Sequence, residues 1–66
     1  MNEIIFLINE SADGRYEAKA LSTPIFTEAD SLDALREMIR DAVACHFEEN
    51  DRPRTIRLRF VREETI

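Results

Sequence analysis

Five consecutive apolar residues, Ile4-Ile5-Phe6-Leu7-Ile8, constrain this chain more than any other stretch. Successive side chains of a strand point to opposite faces, so a strand here is apolar on both sides. It belongs in the middle of a sheet, with neighbours on both edges and some cover on both faces. The run is far short of the roughly 20 residues that span a membrane. No basic stretch precedes it, so it does not read as a signal peptide either.

The rest of the chain supplies the neighbours. Glu10-Ser11-Ala12-Asp13-Gly14 is a turn signal, with Asp-Gly tolerating positive φ. Arg15 to Leu21 alternates, placing Tyr16, Ala18 and Ala20 on one side and Arg15, Glu17 and Lys19 on the other. These two strands form an antiparallel hairpin. Pro24 ends the second strand, and Ile25-Phe26-Thr27-Glu28 makes a short third strand at an edge.

Asp30 or Ser31 caps the helix that follows. Apolar residues recur there at Leu32, Leu35, Met38, Ile39, Ala42, Val43 and Phe47, predicting one amphipathic helix to about Glu48. Such a helix is roughly 27 Å long. Its solvated face carries Asp33, Arg36, Glu37, Arg40 and Asp41, with two i,i+3 pairs of opposite sign. Glu49 to Pro53 is a polar connection. Thr55 to Val61 alternates again, with Ile56, Leu58 and Phe60 inward and Arg57 and Arg59 outward.

The expected fold is therefore α+β: a two-layer βββαβ unit with one helix on one face of a mixed, mostly antiparallel sheet. A right-handed crossover lays the fourth strand parallel to the first and beside it, giving the order 3-2-1-4. Ile4, Phe6 and Ile8 face the helix with Ile56, Leu58 and Phe60. Ile5 and Leu7 are left on an open face beside Glu17, Lys19, Arg57 and Arg59.

Residues 1–66 make a single domain. A chain of roughly 60 residues buries only about 60% of its unfolded surface, so such domains gain support from disulfides, metals or oligomerisation. One Cys excludes an internal disulfide, and one Cys with one His excludes a cluster of soft metal ligands. Contact with another chain is the remaining support, and a homodimer or higher oligomer is expected. A lone thiol suits a reducing compartment, which makes the expected location cytoplasmic.

Catalytic patterns are missing. Cys45 and His46 are adjacent on a helix, so their side chains diverge by about 100° and do not form a nucleophile–base pair. Cys45 reads as a small buried or half-buried residue, and His46 as a partly exposed helix-end residue. Asp30 with Asp33, or Glu48 with Glu49, lacks the several oxygen ligands a hard cation needs. The single Gly excludes a glycine-rich phosphate loop. The expectation is a protein that is not an enzyme, with no cofactor and no metal.

Charge is unevenly spread. Fourteen acidic and nine basic residues give a net −5, which argues against non-specific nucleic-acid binding by the whole chain. Residues 1–51 carry −8 and residues 52–66 carry +3. The row Arg57, Arg59, Arg62 reads either as charge that blunts an edge strand or as a contact for an acidic partner or RNA. With Ile5 and Leu7, these arginines are the candidate contact residues.

The segment Asp13-Gly14-Arg15-Tyr16-Glu17-Ala18, followed by Ile25-Phe26-Thr27-Glu28-Ala29-Asp30-Ser31-Leu32-Asp33-Ala34-Leu35, resembles the HicB-like antitoxin family. Those proteins read Asp-Gly, an aromatic, a second strand and a Thr-x-Ala/Gly-Asp-Ser/Thr motif before a helix. The match runs from residue 3 to about residue 48, at structural rather than catalytic positions. The family's usual Pro-Gly turn is replaced here by Leu21-Ser22-Thr23-Pro24.

The resemblance implies a partial RNase H-like βββαβ layer. It also implies a non-catalytic protein that binds and masks a small HicA-type mRNA-cleaving toxin. Many members carry a C-terminal DNA-binding segment. This sequence resembles a short form without one, which speaks against DNA binding. Two other readings stand beside the antitoxin: an orphan module that only self-associates, without a toxin, and a weak nucleic-acid binder that uses the arginine row.

Overall fold

A computed structural model describes residues 2–61. Its elements are β1 (Glu3–Glu10), β2 (Tyr16–Ala20), β3 (Phe26–Ala29), α1 (Leu32–His46), a single 3-10 turn (Glu49–Asp51) and β4 (Thr55–Val61). The four strands form one sheet in the order β3-β2-β1-β4. β2 runs antiparallel to β1 and to β3, and β4 runs parallel to β1. This is the expected α+β fold, strand for strand.

The hairpin turn is built from its own side chains. Gly14 holds φ +86°, a region that costs other residues a steric clash. Its N–H donates to the Ser11 carbonyl at 3.0 Å, and the Ser11 N–H donates to the Arg15 carbonyl at 2.8 Å. The Asp13 carboxylate accepts from the Ser11 hydroxyl and, at 3.3 Å, from the Arg15 N–H.

Ser31 is the N-cap of α1: its backbone is extended, and its hydroxyl accepts from the Ala34 N–H at 3.1 Å. The helix spans 15 residues, roughly 22 Å, so it is shorter than the 27 Å expected. Phe47 turns extended (φ −109°, ψ 141°), which ends the helical ladder two residues early, although its N–H still reaches the Val43 carbonyl. Arg52 donates to the Ala44 carbonyl at 3.2 Å, placing a cation at the negative end of the helix.

The core lies between α1 and one face of the sheet. Ile4, Phe6 and Ile8 of β1 meet Leu35 and Ile39 of α1, and all five are fully buried. Ala18 and Ala20 fill the space under the helix at β2, and Val43, Ile25 and Ala29 close the edges. Burying an aliphatic or aromatic side chain of this size stabilises by about 1.5–3 kcal/mol.

Two expected inward residues are instead exposed: Met38 at 43% and Phe60 at 57%. Both exposures follow from where the helix lies. α1 packs on β2 and β3, so the helix-side row of β4 is only partly covered, and Ile56 and Leu58 are half-buried. Met38 precedes the fully buried Ile39 by one position, about 100° around the helix, which turns it away from the sheet.

Candidate functional site

The register of the sheet lays out its uncovered face in rows. Leu21 donates its N–H to the Ile5 carbonyl at 3.0 Å, and Ile5 sits opposite Arg57. The next row runs Phe26, Lys19, Leu7, Arg59 from β3 to β4. The last runs Glu28, Glu17, Asn9, Val61. No second layer lies on these rows among the described residues.

Ile5 and Leu7, both candidate contacts, are half-buried at the centre of this face. Lys19 and Arg59 flank Leu7 in its row, and Arg57 sits beside Ile5; long charged side chains can lay their apolar stems over such neighbours. Three apolar residues not singled out as contacts from the sequence also lie on this face. Phe26 is 58% exposed, Leu21 52% and Val61 41%. Phe26 was placed in the third strand, but its facing follows only from its pairing with Lys19.

Charges on the face are unevenly spread: Glu17 and Glu28 share the β2–β3 side with Lys19, and Arg57 and Arg59 share the β1–β4 side with Glu3. Glu17 and Glu28 lie at the end where β2 and β3 meet the hairpin turn, close to Arg15, which pairs with Glu28 at 3.6 Å and Asp30 at 3.1 Å. Arg57 and Arg59 lie on β4 at the opposite edge. Arg57 pairs with Glu3 at 3.0 Å. Arg59 is exposed and makes no ion pair within the described residues. Arg62, the third residue of the proposed row, lies outside the described residues.

On the other face, a cleft of about 210 Å³ opens between α1 and β4, lined by Arg36, Ile39, Arg40, Ile56 and Leu58. Arg36 is held by Asp33 at 3.1 Å and Arg40 by Glu37, as the helical spacing predicted. The cleft exists because one helix covers only part of a four-stranded sheet.

The residues weighed for chemistry fall elsewhere. Cys45 is exposed, not buried, because it lies two positions beyond the inward Val43. His46 ends the helix and meets the Phe47 ring edge-on, with centroids 5.0 Å apart. Among the described residues, no three His, Cys, Asp or Glu side chains gather as metal ligands. One carboxylate there has a clearly shifted pKa. The Ser11 hydroxyl, and then the Arg15 N–H, hold Asp13 below the usual aspartate range. That shift belongs to the hairpin turn, outside the strand rows. Within the described residues, no helix is long and apolar enough to cross a membrane.

Comparison with other proteins supplies relatives. The chain is 57% identical over 51 residues to a UPF0150 protein of Archaeoglobus fulgidus, covering 77% of this chain and 76% of that one. It is 47% identical over 64 residues to a UPF0150 protein of Thermotoga maritima, covering 97% and 90% respectively. No family model matches the chain. No solved structure gives a significant match.

Proposed function

The chain belongs to the UPF0150 family, and from that premise we propose that it is a non-catalytic protein-binding module of the HicB antitoxin type. Its partner is a small, basic, mRNA-cleaving toxin, which it binds and masks. The observation that carries this reading is the uncovered sheet face, where Ile5, Leu7, Leu21, Phe26 and Val61 lie in adjacent rows among charged residues. Contiguous exposed apolar surface rimmed by charge is the mark of a protein contact. The net −5 of the chain favours a basic partner through long-range attraction. The βββαβ order and the Ser31 cap also agree with the HicB resemblance.

Gentle purification from the native cell tests this. A short basic protein should accompany the chain in fixed stoichiometry. Its RNA-cleaving activity should be silent in the complex and released on separation. A chain that emerges alone, or only with copies of itself, overturns the antitoxin reading.

A second reading rests on the arginines of β4 and the glutamates of β2 and β3 lying towards opposite edges of the open face. With Arg57 and Arg59 at one edge and Glu17 and Glu28 diagonally across, two such faces packed with their strands crossed bring opposite signs together. This is the orphan module that self-associates as a homodimer. Sedimentation of the purified chain separates it from the first reading, because it needs no other protein.

A further inference from the structure

The two edges of the sheet are unequal. β3 is four residues long, begins just after Pro24 and Ile25, and has its Glu28 engaged by Arg15. Such an edge offers few free backbone groups. β4 is seven residues long, and its outer side pairs with no strand among the described residues. A long unpaired edge is a template for another strand, and proteins commonly blunt it with charge.

The charge on β4 is all of one sign and all on one side. Arg57 and Arg59 project on the open face; Ile56, Leu58 and Phe60 project on the helix side. Beyond the apolar row lies the cleft walled by Ile39, Arg36 and Arg40. An added strand therefore meets Arg57 and Arg59 on one face. On the other it meets apolar side chains beside a cleft whose own arginines, Arg36 and Arg40, are engaged by Asp33 and Glu37. Of the two cations, Arg57 already has Glu3, and Arg59 has no acidic partner among the described residues.

A second copy fits this edge poorly. The symmetric antiparallel register that overlaps the whole strand centres on Leu58 and sets Arg57 of each copy against Arg59 of the other. Like charges directly opposite each other destabilise a strand pair.

We propose that the outer edge of β4 takes up, by strand addition, an extended segment of a partner protein in which acidic and apolar residues alternate. Main-chain hydrogen bonds supply affinity, and the alternating side chains supply choice. The acidic residues lie over Arg57 and Arg59, and the apolar ones extend the row of Leu58 and Phe60 towards the cleft. This goes beyond the antitoxin reading: it concerns the edge of the sheet rather than its open face, and each survives the failure of the other.

Fluorescence anisotropy with labelled nine-residue peptides tests the proposal on the intact chain. A peptide of alternating valine and glutamate should bind about tenfold more tightly than one of alternating valine and lysine, the scale of two cross-strand charge pairs. Arg59→Glu, with its circular dichroism unchanged, should cancel that preference, and Arg57→Glu with Arg59→Glu should reverse it. N-methylation of alternate peptide amides, on the side that bonds β4, should abolish binding without any change to the protein. Three outcomes overturn the proposal: equal affinity for both peptides, full binding by both N-methylated frames, or displacement of the acidic peptide by a nine-nucleotide oligouridine that binds more tightly. Protected β4 amides in a dimer that ignores the peptides would also overturn it, in favour of a second copy.

Discussion

Single residues set the ends of the elements. Ser31 satisfies one of the first-turn N–H groups of α1, at 3.1 Å from Ala34. Ser31→Ala should cost about 1 kcal/mol in urea unfolding, the usual loss for a capping hydroxyl; a loss near zero would mean that water caps the helix as well as serine does. At the hairpin turn, Ser11 and the Arg15 N–H stabilise ionised Asp13 and lower its pKa. The sign of the pH dependence follows. The folded pKa lies below the unfolded value of about 3.9, so the turn's contribution is complete above that pH and is lost as the pH falls through the folded value. Carbon-13 titration of the aspartate carboxyls should give Asp13 a midpoint below the ordinary aspartate value, and Ser11→Ala should raise it. An Asp13 midpoint at the ordinary value, unmoved by that change, would remove Ser11 from the account.

At the scale of the element, periodicity finds helices and strands but does not say how far one covers another. The helix spacing picked Leu35, Ile39 and Val43, which are buried, but it also picked Met38, which is exposed. These residues make a paired test. Leu35→Ala should cost about 2–5 kcal/mol, in a domain whose whole stability is on the order of 3–10 kcal/mol for 66 residues. Met38→Ala should stay within about 0.5 kcal/mol, as exposed substitutions do. Equal losses at the two positions would put both side chains in the core.

Strand order and strand partners were legible for a related reason. The five-residue apolar run needed two neighbours, and a parallel fourth strand beside β1 met that need. Phe60 was misread because alternation assigns a residue to a face without saying whether the helix reaches that part of the face. Phe26 was missed as a member of the open face because the turn before β3 sets its register, and that turn departs from the Pro-Gly form; Leu21 only continues the Arg15, Glu17, Lys19 side of the alternation. The 3-10 turn at Glu49–Asp51 left no periodic signal, being a single turn in a polar stretch.

For the whole molecule, the size of the open face sets what self-association can achieve. Four strands about 4.8 Å apart and about 20 Å long present on the order of 400 Å² per copy. Two copies together bury less than the roughly 1,200 Å² of a standard stable interface, so a homodimer through this face should be concentration-dependent. Sedimentation velocity across a concentration series should show the 7.7 kDa monomer giving way to a dimer. Leu7→Glu is the decisive change, because Leu7 is half-buried in the middle row between Lys19 and Arg59 and contributes nothing to the helix-side core. The variant should keep its fold by circular dichroism. A carboxylate forced into an apolar contact loses the transfer energy of leucine and adds a desolvation cost, once in each copy. Dimer affinity should therefore fall by at least about 100-fold. Phe60→Ser, on the helix side and away from this face, should leave the dimer intact. A dimer that survives Leu7→Glu but not Phe60→Ser would move the self-contact from the open face to the β4 edge.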